Sequence, residues 1–123
     1  MQIGRLDHVN LRTNQLDKMI DWYSNILGMR SGPRPNFGFP GAWMYSGEDA
    51  VVHLVGVDGD PGHGTDGDLK LEHFALTATD RTSFETRLKE AGEKFEIAEV
   101  ADIGVTQYNV WDPEGNHIHI DFS

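Results

Sequence analysis

The chain has 123 residues, of which 38% are hydrophobic and 24% charged, as expected of one globular domain with a real core. Twenty acidic against ten basic residues give a net charge of −10, which argues against nucleic acid or an anionic membrane as a partner. No apolar run approaches the roughly 20 residues of a membrane span, and the first residues lack a signal-peptide pattern, so we expect a cytoplasmic protein. Because cysteine is absent, disulfides and thiolate ligands are excluded.

The first half of the chain predicts a strand, a helix and a hairpin. "RLDHVNLR" alternates in polarity, which is typical of a strand. "NQLDKMIDWYSNILG" changes to helical spacing; Thr13 or Asn14 can cap its start, and Gly28 lies where a left-handed residue ends a helix. A loop rich in Gly and Pro follows, and "AWMYSGEDAVVHLVGV" predicts a hairpin that turns at residues 46–49.

A segment without periodicity, "DGDPGHGTDGD", predicts a linker over residues 58–68. Its aspartates do not match the spacing of an EF-hand, so we expect a solvated linker, His63 included, rather than a calcium site. The linker divides the chain into a first module over about residues 1–57 and a second over about residues 69–123.

The second module repeats the order of the first. "LKLEHFALTA" predicts a strand, and "DRTSFETRLKEAG" predicts a helix that begins at the capping residue Asp80 and ends at Gly92. The apolar face of this helix is expected to contain Phe84, Leu88 and Ala91. "KFEIAEV", "GVTQYNVWD" and "GNHIHIDF" predict three strands, with a turn between the last two.

Landmarks of the two modules recur at a nearly constant distance. His8 and His73 in the opening strands are 65 positions apart, His53 and His119 in the closing strands are 66 apart, and the glycines that end the helices are 64 apart. This spacing indicates an internal duplication. A single strand histidine is more often a packed or surface residue than a ligand, but four at equivalent points favour a metal site. If the sheets of the two copies face each other, the four imidazoles could converge on one divalent ion.

The closing stretch "GNHIHIDF" places polar and apolar residues on opposite faces of a strand. His117 and Asp121 therefore share the face of His119. Each could orient a ligand or act as an acid–base group, and a solvated strand end is an equally good interpretation.

Four other residues are candidates for binding a substrate. Asn10 and Arg12 share the strand face of His8; Arg12 could hold a substrate carboxylate, although a rim salt bridge is the better expectation. Phe37 and Phe39 follow the first helix, where a lid would cover an apolar substrate. Trp43 could belong to the same lid or pack in the core, and Trp111 is expected to pack.

Four stretches, "LDHVNLRT", "WYSNILGM", "LEHFAL" and "DPEGNHIHI", resemble the vicinal oxygen chelate superfamily, which contains glyoxalase I, extradiol dioxygenases and bleomycin resistance proteins. The resemblance spans essentially the whole chain. It implies an α+β fold in which two tandem βαβββ modules form a curved mixed sheet around a metal cavity. It also implies a small-molecule substrate, and metal ligands from the first and last strands of each module, namely His8, His53, His73 and His119. We expect a homodimer, and the site could be completed within one chain or across the dimer interface, since family members do both.

The resemblance leaves three functions open. Members with glyoxalase-type or extradiol chemistry usually have Glu where this chain has His119, and four neutral ligands supply no metal-bound carboxylate base. We therefore rank a non-haem dioxygenase that acts on a catechol- or enediol-like substrate first, with Fe(II) the favoured metal and Zn, Ni or Mn as alternatives. A glyoxalase-like isomerase or lyase is the second function, and a metal-free binding or resistance protein is the third.

Overall fold

The first unit of the chain, Met1–Asp68, is a four-stranded mixed sheet with one helix. The computed structural model describes residues 1–62 and 69–123; His63 and the rest of the predicted linker to residue 68 lie outside the described residues. The strands lie in the order β1-β4-β3-β2, and β1 pairs with β4 in parallel. The elements are β1 (Val9–Thr13), α1 (Leu16–Asn25), β2 (Arg30–Gly32), β3 (Gly41–Ser46) and β4 (Asp49–Gly56).

The second unit, Leu69–Ser123, has the same topology. Its strand order is β5-β8-β7-β6, with β5 parallel to β8. The predicted α+β fold of two tandem βαβββ modules is thus confirmed, and so is the internal repeat. The elements are β5 (Phe74–Thr77), α2 (Arg81–Glu90), β6 (Phe95–Val100), β7 (Val105–Trp111) and β8 (His117–Phe122), with a short 3₁₀ turn at Ala101–Ile103.

Strict alternation in β8 determines which face of the second sheet is polar. Ile118, Ile120 and Phe122 are 0%, 4% and 5% exposed, whereas the histidines and the aspartate between them are half-buried on the opposite face. Helix α2 packs Phe84 against this core, with its ring 5.7 Å from that of Tyr108. In the first unit the core contains the fully buried residues Met19, Tyr23, Met44, Val52 and Leu54.

The opening strands are shorter than their polarity patterns predict. Strand β1 begins at Val9 and β5 at Phe74, so His8 and His73 each lie just before a strand. In the second unit, the late start of β5 is explained by its partner strand. Phe74 pairs with Ile118, and β8 begins only one residue before that, at His117, so the residues before Phe74 have almost no partner strand. Strand β2, within the predicted loop, was not predicted because three residues are too few to show a period.

The helix termini agree with the predictions only in part. Asp80 caps α2 as predicted, because its Oδ1 accepts the Ser83 N–H at 3.2 Å. Ala91, predicted to be buried, is exposed because α2 ends one residue before it. At α1 the capping position is Gln15, whose N–H is accepted by Thr13 Oγ1 at 2.9 Å, so neither predicted residue is the cap. No helix in residues 1–62 or 69–123 is long and apolar enough to cross a membrane.

Candidate metal centre

In the first unit, His53 lies at the middle of the sheet, and His8 stacks on it. Strand β4 runs between β1 and β3, and the register pairs His53 with Asn10 on one side and Trp43 on the other. The two imidazole rings are 3.8 Å apart and nearly parallel, and the Trp43 ring is 4.1 Å from that of His53. His53 is 9% exposed. The two histidines predicted in this unit are therefore in direct contact.

The second unit repeats this arrangement. The rings of His73 and His119 are 3.8 Å apart with an interplanar angle of 10°, as are those of His8 and His53. The registers are equivalent too, because Ala75 pairs with His119 as Asn10 pairs with His53. Each unit thus holds a stacked histidine pair, one member from the approach to the first strand and one from the closing strand.

A carboxylate orients the first histidine of each pair. Asp7 Oδ2 lies 2.7 Å from His8 Nδ1, and Glu72 Oε2 contacts His73 Nδ1. The hydrogen bond with the adjacent histidine is the main cause that lowers the pKa of each carboxyl group. An ionised carboxylate can only accept, so each Nδ1 donates to it, and Nε2 is the nitrogen that is turned away from the carboxylate. Sequence reasoning missed both acids, although they too are 65 positions apart.

Burial favours the neutral form of the two closing-strand histidines. It is the main cause that lowers the pKa of His53 and of His119, and the neighbouring imidazoles lower both further. A neutral imidazole is the form that binds a metal.

His117 is the third histidine of a cluster in the second unit. Potential ligand atoms of His73, His117 and His119 lie within 4.8 Å of one another. Both nitrogens of His117 already have partners, however: Nδ1 lies 3.0 Å from Glu72 Oε1 and Nε2 lies 2.8 Å from Asn109 Oδ1. The Asn109 amide donates to a backbone carbonyl at 3.1 Å, so its oxygen faces the imidazole. Because both of its nitrogens are engaged, His117 suits a hydrogen-bonding role beside the histidine pair better than that of a metal ligand.

Two further residues share the polar face of the second sheet. Asp121 is half-buried, and its Oδ1 has no hydrogen-bond partner among the described residues. Trp111 pairs with His117 across the strands and stacks on it at 5.1 Å. It was expected to pack, and the residue that it packs against is a histidine of the polar face.

Of the predicted substrate residues, the phenylalanines form a patch that leads to His53. Phe37 and Phe39 are 48% and 45% exposed, and their rings stack at 5.4 Å. The Phe37 ring is 6.2 Å from that of Trp43, which in turn stacks on His53. Asn10 and Arg12 are exposed on β1, where Asn10 is the strand neighbour of His53.

Solved structures with this fold come from several bacteria. A protein described as of the glyoxalase family from Bacillus anthracis has a TM-score of 0.79 and 21% identity, with 100% of this chain and 98% of that one covered. Lactoylglutathione lyase from Agrobacterium tumefaciens has a TM-score of 0.72 and 15% identity, covering 100% and 96%. A genomically encoded fosfomycin resistance protein from Listeria monocytogenes has a TM-score of 0.73 and 12% identity, covering 99% and 95%. At these identities the likeness shows the fold alone.

The sequence itself gives the family. No curated protein sequence matches the chain significantly. A family model, that of the Glyoxalase/Bleomycin resistance protein/Dioxygenase superfamily, matches residues 5–120. This match includes both histidine pairs and all of the helices and strands except the last two residues of β8. The chain belongs to the Glyoxalase/Bleomycin resistance protein/Dioxygenase superfamily.

Proposed function

We propose that the protein is a metal-dependent dioxygenase that acts on a small substrate with vicinal oxygens, catechol- or enediol-like, with Fe(II) as the favoured metal. The proposed ligands are His8, His53, His73 and His119. The observation that supports this most is that each unit contains the same stacked pair, with histidine at both closing-strand positions. A homodimer and a cytoplasmic location stay predictions.

The donor set fits a divalent transition metal. Two of the imidazoles have Nδ1 engaged by a carboxylate and therefore offer Nε2, and the other two are driven towards the neutral form by burial. Neutral nitrogen donors suit Fe(II), Zn and Ni, whereas Mn prefers oxygen. When bound, such an ion would polarise the vicinal oxygens of a substrate, and a reducible ion such as iron would also supply redox chemistry.

The chain's own residues then bind the substrate and handle its protons. His117, held between Glu72 and Asn109, can donate a proton to a substrate oxygen and recover it through the exposed carboxylate. Asp121, with an unpaired oxygen on the same face, is the second proposed acid–base group. Phe37 and Phe39 would cover an apolar part of the substrate, and Asn10 and Arg12 would bind its polar groups.

Observations also favour the two alternatives. The hydrogen-bonded His117 could serve as the base of a glyoxalase-like isomerase, in place of a metal-bound carboxylate. The exposed phenylalanines would equally serve a metal-free binding or resistance protein.

Oxygen consumption distinguishes the three functions. The full chain is loaded with Fe(II) without oxygen and mixed with catechols, an enediol, or the hemithioacetal of methylglyoxal and glutathione. We expect oxygen uptake with a catechol or enediol, no uptake by Zn-loaded protein, and little isomerisation of the hemithioacetal. Robust isomerisation without oxygen uptake would contradict the proposal and favour the isomerase. Ligand binding without turnover or metal would favour the binding protein.

A further inference from the structure

We propose that Arg34, together with Phe37 and Phe39, forms a subsite for the anionic group of a planar aromatic ligand, an aryl carboxylate. The proposal rests on the proposed function for the role of this ligand as substrate. Binding at the subsite itself requires no metal. Arg34 was not singled out in the sequence, where Arg12 was the arginine considered for a substrate carboxylate.

The guanidinium of Arg34 is held in place by aromatic rings. Its Cζ is 5.0 Å from the centroid of the Phe37 ring and 5.1 Å from that of Phe39. Nη2 also donates to the Phe39 carbonyl at 3.1 Å. Cation–π contacts and one carbonyl fix the position of the group, and among the described residues they leave most of its five N–H donors without an acceptor.

This cation has no acidic partner within residues 1–62 and 69–123, although the chain carries twice as many acidic as basic residues. Arg5, by contrast, is engaged by both carboxylate oxygens of Asp49 at 3.2 and 3.3 Å. An unpaired, pre-oriented guanidinium matches a carboxylate, which it can bind through two parallel hydrogen bonds. The chain has a net charge of −10 and repels anions over most of its surface, so an anion would bind preferentially at this arginine.

The rings beside Arg34 indicate the rest of the ligand. Phe37 and Phe39 lie within 14° of parallel, and nearly half of each side chain is exposed. An aromatic ligand would bury this flat surface by stacking, and a saturated ring would match it less well. The patch continues through Trp43 to His53.

Three probes of similar size separate the charge from the ring. Binding of benzoate, benzamide and cyclohexanecarboxylate is measured by calorimetry, with the full chain as isolated and again after chelation of metal. We expect benzoate to bind about tenfold more tightly than either of the others, because only it has both the charge and the flat ring. Arg34→Gln should remove the preference for benzoate over benzamide, and Phe37→Leu the preference over cyclohexanecarboxylate.

Arg30→Gln is the matched control. Arg30 also lies over an aromatic ring, with Cζ 4.9 Å from the Tyr45 centroid, and also donates to a carbonyl, that of Gly47 at 3.4 Å. This variant should bind all three probes as the unchanged protein does.

Two results would overturn the subsite. One is equal affinity for the three probes in the unchanged protein. The other is found if Arg34→Gln and Phe37→Leu sediment as monomers where the unchanged protein sediments as a dimer, while their probe affinities are unaltered. The patch would then be an interface between two copies of the chain. Benzoate binding is measured on metal-free protein as well and does not depend on the proposed reaction. If benzoate binds but the Fe(II)-loaded protein takes up no oxygen, only the proposed function is refuted.

Discussion

Replacing Glu72 by glutamine should weaken metal binding, although its side chain is not a proposed ligand. The carboxylate contacts Nδ1 of His73 and lies 3.0 Å from Nδ1 of His117. Glutamine keeps the shape but has only one acceptor oxygen and no charge, so it cannot maintain both contacts. His73 would then sample both tautomers, and only one of them offers Nε2 to a metal.

The structure also indicates how large the effect should be. Loss of a hydrogen bond that orients a metal-binding histidine typically lowers affinity by about 10- to 100-fold. Glu72 is 71% exposed, so water can replace part of what is lost, and the effect should lie near the lower limit, about tenfold. Asp7→Asn should have a smaller effect, because Asp7 contacts one histidine where Glu72 contacts two.

Competition with a chromophoric chelator at constant pH measures the affinity, and Glu90→Gln controls for the change of net charge at an exposed glutamate of the same unit. Long-range ¹H–¹⁵N NMR of the metal-free chain reports the tautomer of His73 directly. An affinity for Glu72→Gln within twofold of that of Glu90→Gln, with the Nδ1–H tautomer unchanged, would refute the reasoning.

Three other predictions concern histidine protonation, the cap of α2 and the residue type at position 119. Because the pKa values of His53 and His119 are lowered on folding, the unfolded chain binds more protons below about pH 6.5, so urea unfolding of metal-free protein should show stability falling from pH 7 to pH 5; a constant midpoint would contradict this. Asp80→Ala should cost about 1–2 kcal/mol in thermal unfolding, since it removes the cap of α2 at a left-handed φ of 65°, and an equal loss in Asp80→Asn would contradict the capping role. His119→Glu should raise hemithioacetal isomerisation by supplying the missing carboxylate, and an unchanged rate would contradict that explanation.

Periodicity predicted most of the fold because several strands, β3 and β8 most clearly, alternate between buried and less buried residues. The polar and apolar residues of "HIHIDF" lie on opposite faces as expected. The nearly constant offset of the histidines correctly predicted that the two units have the same topology. Strand starts were less predictable: a sequence can alternate before any partner strand is available, as residues 69–73 do.

Contacts across strands and within loops could not be read from the pattern. Trp111 was expected to pack, but the pattern did not show against which residue; its register partner is His117, and paired residues share a face. The position of Arg34 depends on the irregular backbone of residues 33–40, which has no period to read. Asp7 and Glu72, by contrast, could have been predicted from the sequence, because they precede His8 and His73 and have the same offset of 65 positions.

Metal stoichiometry tests the central proposal, that the histidine pairs of both units bind one divalent ion. The full chain and His73→Ala are reconstituted with Fe(II) without oxygen, and metal per chain is measured by elemental analysis alongside circular dichroism. We predict about one ion per chain in the unchanged protein, and near zero in a folded His73→Ala protein. Unchanged metal content in folded His73→Ala, or no stoichiometric metal in the unchanged protein, would contradict the account.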